Sequence, residues 1–178
     1  MSELNSYEKL LKQTNEKRRR FRVVAWLFVY ATWVLLWSLI MANIGMNAPM
    51  LLFIPLTTVI LVRCTWKYTS VEFEYTLVEG SLVIDKIYGK KTRKGVFEGE
   101  LKSAVLIAPY TEDFLRKAEE RGAWRKSIEA ISSEDAEEIW FLLFESEGET
   151  RTMVFVEADD TMLRIFRHYN ARATMRKL

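Results

Sequence analysis

Two runs of this chain are apolar on every side. Residues 23–42, VVAWLFVYATWVLLWSLIMA, carry no charge. As a helix, such a run rises about 30 Å, the thickness of a bilayer core. A buried core helix is rarely apolar all round over this length. A cleaved signal would have a shorter apolar region and a small-residue cleavage site, whereas Ile44-Gly45-Met46-Asn47 leads into more apolar sequence. That second run, Met46 to Val62, is seventeen residues long and just reaches spanning length. Pro49 suits a first helical turn, and Pro55, inside the run, predicts a kink. Thr57 and Thr58 stand where they can satisfy the carbonyls that a proline frees. Asn43, Gly45 and Asn47 are turn formers between the runs. The pattern predicts a transmembrane helical hairpin over 21–66, with helices at about 22–43 and 46–62.

From Val71 the period changes to two. Val71, Phe73, Tyr75 and Leu77 alternate with Glu72, Glu74 and Thr76, as in a half-buried strand. Glu79-Gly80 marks a turn, Leu82, Ile84 and Tyr88 a second strand, and Gly89-Lys90-Lys91 another turn. A strand through Val96-Phe97 follows, then a fourth from Leu101 to Ala108, so a meander is expected. Thr111, Glu112 and Asp113 open a short helix that Gly122 ends. Residues 123–137 are polar and match no element. Strands resume at IWFLLF, 139–144, and TMVFVEA, 152–158, with a turn at Glu147-Gly148-Glu149. Asp159 or Asp160 caps a last helix with an apolar stripe of Met162, Ile165, Phe166 and Tyr169. The tail ARATMRKL reads as a fraying end. At the other end, Leu4, Tyr7, Leu10 and Leu11 recur at helical spacing and predict a short amphipathic helix over 1–16. The fold class is α+β: a transmembrane helical hairpin, then an antiparallel β-meander or partial barrel closed by a C-terminal amphipathic helix. The division is 1–20, a cytoplasmic amphipathic and basic segment; 21–66, the hairpin; and 68–178, the cytoplasmic domain.

Charge adds a direction. Residues 1–67 hold nine Lys or Arg against three Asp or Glu, and residues 68–178 hold seventeen against twenty-one. The basic excess flanks the apolar runs rather than covering the folded domain, which disfavours a nucleic-acid binder. Lys17, Arg18, Arg19, Arg20 and Arg22 precede the first run, Arg63 and Lys67 follow the second, and the connection has none. The positive-inside rule then puts both termini in the cytoplasm of a two-span protein of the cell membrane. Trp26, Trp37 and Trp66 suit headgroup levels, and Trp33 lies deeper. No ionisable residue falls between Val23 and Val62, so the hairpin reads as an anchor or packing element and not as an ion path.

Several of these signals also carry a resemblance. Tyr75-Thr76-Leu77, Glu79-Gly80, Leu82, Ile84-Asp85-Lys86-Ile87, Gly89-Lys90-Lys91 and Leu101 follow one another as in bacterial pleckstrin-homology-like (PH-like) domains. The chain also resembles an uncharacterised family of small two-span bacterial proteins with such a cytoplasmic domain. The shared features are IDKIYGKKTRK at 84–94, APY at 108–110 and FVEADD at 155–160 before the last helix. The resemblance covers about residues 20–170. It implies a PH-like fold and a membrane address. It implies no activity and no catalytic residues.

Chemistry is sparse. One cysteine, Cys64, and one histidine, His168, lie far apart, so neither a disulfide nor a Cys–His pair is expected. There is no Gly-rich phosphate loop and no nucleophile elbow. Asp159-Asp160 reads as a helix cap and Glu134-Asp135 as solvated surface before either reads as a metal site. No enzyme, cofactor or metal is expected. The one concentrated feature is Lys90, Lys91, Arg93 and Lys94 at a hairpin tip. Such tips are often simply solvated, and edge lysines discourage strand aggregation. The functional alternative is contact with anionic lipid headgroups or an acidic partner surface. The expectation is a non-catalytic membrane-anchored scaffold or adaptor whose domain binds a protein partner or the anionic membrane surface. The alternative is an accessory subunit of a larger membrane complex, such as a transporter or envelope-assembly machine.

Overall fold

A strand, not a helix, precedes the apolar run. The structure is a computed structural model and describes residues 6–44, 52–120, 122, 124–145 and 151–175. In it, β1 (Ser6–Lys12) alternates exposed and half-buried positions, with Tyr7, Lys9 and Leu11 turned inward. It pairs antiparallel with β2 (Val71–Val78), from Ser6↔Val78 to Lys12↔Glu72. The helix expected over 1–16 is thus corrected over 6–12. The spacing of Tyr7, Leu10 and Leu11 suits a helix, but a short helix alone in water is marginal. The open edge of β2 instead offers backbone partners along the whole strand. Leu10 stays outside, 59% exposed.

β3 (Ser81–Tyr88) and β4 (Thr92–Glu100) complete a sheet in the order β1-β2-β3-β4. The turns fall where the pattern predicts them. Both central residues have positive φ, 49° and 85° at Glu79-Gly80, 55° and 61° at Gly89-Lys90. That geometry matches the twist of two-residue hairpins. Leu101–Ser103 then forms a 3-10 turn, and β5 (Ala104–Pro109) leaves the first sheet. The stretch expected to supply a fourth meander strand opens a second sheet instead. That sheet also holds β6 (Trp124–Ala130), β7 (Ile139–Glu145) and β8 (Arg151–Glu157), in the order β5-β7-β8-β6. β7 runs antiparallel to β5 and β8, whereas β6 and β8 are parallel. β6 is the strand hidden in the polar stretch. Only Ile128 and Ala130 of WRKSIEA are buried, too few for a periodic signal. The turn expected at Glu147-Gly148-Glu149 lies outside the described residues.

Helix α3 (Glu112–Glu120) buries Phe114 and Ala118, one turn apart. Phe114, Ala118, Leu106, Ala108, Phe141, Leu143 and Met153 form one apolar cluster. β7 is buried at six consecutive residues, which explains why IWFLLF shows no alternation. α4 (Asp160–Tyr169) starts at Asp159, whose Oδ1 accepts from the Met162 amide at 3.0 Å, and buries Met162, Ile165 and Phe166. The tail is a further correction: through Met175 it is bound, not frayed. The Ile107 amide donates to the Ala173 carbonyl and the Met175 amide to the Ile107 carbonyl, both at 2.8 Å. β5 is an edge strand, and these bonds satisfy its outer groups.

The chain forms two compact units. One comprises residues 1–13, 72–87 and 93–178, and the other 14–71 and 88–92. In the second unit, α1 (Glu16–Ile44) contains the first apolar run and also the basic residues 17–22. It is long and apolar enough to cross a membrane, and only 6% of its apolar window is buried within the chain. Among the described residues it alone meets that length. The second predicted span is described only from Leu52 onward, as α2 (Phe53–Thr65). Among these residues α2 begins at Phe53. Pro55 therefore sits in the first turn of the described helix, where a missing N–H costs nothing. Thr57 and Thr58 donate to the carbonyls of Phe53 and Ile54 at 2.8 and 2.7 Å.

Candidate functional site

The helices present one covered stripe and a wide uncovered face. Trp26, Tyr30, Trp33, Trp37 and Met41 recur every three or four residues along α1 and, with Arg18, Arg22 and Val23, are its half-buried or buried positions. Tyr30 and Thr65 share a hydroxyl hydrogen bond of 2.6 Å, and Trp37 meets Phe53 edge-on at 5.7 Å. The earlier part of α1 thus touches the later part of α2, and the later part the earlier. The opposite faces expose Phe28, Leu35 and Leu39 of α1 and Leu56, Val59 and Ile60 of α2. Water does not tolerate so continuous an apolar surface, and lipid or a partner helix does.

α2 passes directly into a 3-10 turn, Trp66–Thr69, and the β3–β4 hairpin tip is built against that turn. The Gly89 amide donates to the Ser70 carbonyl at 3.1 Å, while the Lys91 amide closes the tip on the Tyr88 carbonyl at 3.1 Å. Glycine is required at position 89 twice over. Its φ is positive, and a Cβ there would lie 2.6 Å from the Lys67 Cβ and 2.9 Å from its Cα. The Lys67 Nζ donates to the Thr92 hydroxyl at 3.2 Å and stands 5.0 Å over the Tyr68 ring. Tyr68 also meets Tyr88 edge-on at 5.4 Å and stacks on Trp26 at 6.1 Å. A basic tip and an aromatic row therefore converge on the end of α2.

The four basic residues singled out at the tip do not share one environment. Lys90 and Lys91 are exposed and form no ion pair among the described residues. Arg93 grips Glu74 with both terminal guanidinium nitrogens, at 3.1 Å each. Lys94 lies exposed on β4. Of the flanking set, Arg18, Arg19, Arg20 and Arg22 lie on the first turns of α1, where Arg20 pairs with Glu16 at 2.8 Å. Glu16, Arg19 and Arg20 border an open groove of about 430 Å³ with Val23 and Val24. The Arg22 Nε is buried without a hydrogen-bond partner. Arg63 is exposed in the last turn of α2. The expected role of Lys67 was topology alone, and its seat against Gly89 was not legible in the sequence. The only signal was the glycine itself.

Two polar contacts in the other unit also escaped the sequence. The Tyr7 hydroxyl donates to Asp159, and Lys9 stands 3.5 Å from the same carboxylate. Burial alone would raise the Asp159 carboxyl, but the Tyr7 and Met162 hydrogen bonds, with Lys9, outweigh it and hold the group below the usual value. The Tyr75 hydroxyl donates to the Ala130 carbonyl and accepts from the Glu157 amide at 3.3 Å, joining the two sheets. Burial pushes the Tyr75 phenol well above its ordinary value. His168 is exposed and edge-on to Tyr169 at 5.0 Å. Among the described residues no three His, Cys, Asp or Glu side chains converge as a metal site needs.

Comparison with known proteins agrees with this architecture. A family model described as "Bacterial PH-like domain (DUF6106)" matches residues 6–176, and the chain belongs to that family. Neither the curated proteins nor the solved structures include a significant match.

Proposed function

We propose that this member of the bacterial PH-like family is a non-catalytic, membrane-anchored adaptor. In this reading the PH-like domain is held at the cytoplasmic face of the cell membrane by two crossings, with both termini inside. The pairing of β1 with β2 carries the proposal. β1 ends at Lys12, before α1, and β2 begins at Val71, after α2. A strand ladder does not form across a bilayer, so both strands lie on one side and the chain between them crosses an even number of times. If α1 crosses, α2 with the apolar residues before it provides the return. The basic residues before α1 and after α2 then lie on the same, inner side.

The adaptor part of the reading draws on the exposed lysines beside the end of α2. A domain joined to the helices through both β1 and β2 is held near the membrane by two chain connections, which suits capture of a protein partner or of the anionic surface. The exposed faces of α1 and α2 also support a second reading, an accessory subunit whose helices pack in a larger membrane complex.

Protease-cleavable tags at the two ends, probed in sealed right-side-out and inverted membrane vesicles, test the topology. Both tags should be cut only in inverted vesicles. Tags cut from opposite sides would sink the two-crossing anchor. The size of the complex extracted in mild detergent separates the two readings: an adaptor leaves the membrane alone or as a small oligomer, a subunit with its complex.

A further inference from the structure

The position of the hairpin tip leaves a charge pattern that anchoring alone does not use. Lys67 lies two residues beyond the end of α2, about 4 Å further along at the rise of a 3-10 turn. Gly89 lies so close to Lys67 that an added Cβ would stand 2.6 Å from its Cβ, and the Gly89 amide donates to the Ser70 carbonyl. The tip therefore sits within a Debye length, about 8 Å at physiological ionic strength, of the level where α2 ends. Lys90 and Lys91 project from it.

The local charge balance is one-sided. Residues 14–71 and 88–92, the unit that contains both helices and the tip, hold nine Lys or Arg and a single acid, Glu16. That acid is engaged by Arg20 at 2.8 Å. Trp26, Tyr68 and Tyr88 form a row of ring contacts beside Lys67. Rings with a polar edge favour the headgroup layer, where one part meets apolar chains and the other water.

We propose that Lys67, Lys90 and Lys91 form a binding site for the phosphate of anionic phospholipid headgroups, in the leaflet from which α2 emerges. The inference rests on the reading that the apolar helices enter the membrane. Each ammonium is a point charge on a flexible stem, so the site selects net negative lipid over zwitterionic lipid and not one headgroup over another. Arg93, already gripped by Glu74, is left out of it.

The test uses the full chain in lipid nanodiscs and hydrogen exchange of the segment 86–92. In discs containing an anionic phospholipid the segment should exchange several-fold more slowly than in phosphatidylcholine alone. Each lysine near an anionic surface contributes roughly fivefold in occupancy. Lys90→Gln with Lys91→Gln should therefore erase most of the difference, and Lys67→Gln should reduce it. Lys126→Gln, on β6, should leave it intact. Equal exchange in both discs overturns the headgroup site while leaving the anchor standing. Failure to enter discs of either kind overturns both. Protection in neutral discs on adding inorganic phosphate assigns the site to a free anion and overturns the lipid assignment.

Discussion

The Tyr7 hydroxyl, on the strand before the apolar helices, donates to the carboxylate of Asp159, the residue that caps the closing helix. One contact thus ties the first strand of the domain to its last helix. Tyr7→Phe should destabilise the domain by about 1 kcal/mol, the net worth of such a hydrogen bond. Asp159→Ala should cost about 1–2 kcal/mol, because the Met162 amide loses its cap as well. Denaturant unfolding followed by near-UV circular dichroism measures both. The double variant should cost less than the sum, since the two changes share one interaction.

The same contact has a pH signature. The Tyr7 and Met162 hydrogen bonds and Lys9 hold the folded Asp159 carboxyl below the usual carboxylate value. A carboxyl with a depressed folded value contributes stability that is fully present above the unfolded value and is lost as pH falls through the folded one. Stability should therefore hold above about pH 5 and decline below pH 4. Asp159→Asn should flatten that decline. An acid limb unchanged in Asp159→Asn would remove Asp159 from the linkage.

Tyr75 joins the sheets through a hydroxyl with no exposure to solvent. Tyr75→Phe leaves the buried Ala130 carbonyl without that donor and should cost about 1–3 kcal/mol, more than Tyr7→Phe. With its phenol raised by burial, the stability Tyr75 contributes is present below the unfolded value near pH 10 and is lost as pH rises through the folded one. Phenolate absorbance in the folded chain should show Tyr75 silent at pH 10 and appearing only with unfolding.

Gly80 and Gly89 predict different failures. A Cβ at Gly80 would lie 2.5 Å from the Tyr169 ring, and its φ is +85°. Gly80→Ala should lower global stability by about 1–2 kcal/mol, from left-handed backbone strain together with the displaced ring. Gly89→Ala meets the Lys67 backbone instead. It should release the tip, with faster exchange of the Gly89 amide, while the β7 amides keep their protection.

The β1–β2 register predicts that the helices are an insertion. Replacing residues 14–70 with a short Asn-Gly turn should give a soluble monomer, because Lys12 and Glu72 are already cross-strand partners. Residues 68–178 alone lack β1 and expose the β2 edge at Phe73 and Tyr75. That shorter chain should aggregate in size-exclusion chromatography where the joined one does not.

Much of the β-region could be read residue by residue. The alternation from Val71 to Leu77 and the positive-φ turns at Glu79-Gly80 and Gly89-Lys90 are local properties. So is the cap at Asp159 with its stripe of Met162, Ile165 and Phe166. β6 was illegible because a parallel edge strand with two buried residues leaves no period. β1 was misread because Tyr7, Leu10 and Leu11 satisfy helical spacing while Tyr7 and Leu11 also share one face of a strand, and only the vacant edge of β2 chooses between them. In the candidate site the lysines were visible and their company was not. Nothing local marks Arg93 as Glu74's partner or Lys67 as the floor beneath Gly89.

The sequence by itself determined which segments are apolar throughout, where the chain turns and which residues carry positive charge. These follow from side-chain chemistry and from backbone preferences that act over a few residues. Tertiary structure alone decided that Ser6–Lys12 returns to Val71–Val78 across the apolar helices, and that Gly89 is seated on Lys67. Both are pairings between residues far apart in the chain. They depend on which hydrogen-bonding edge and which cleared space remain open once the sheets have formed, and no local pattern encodes that.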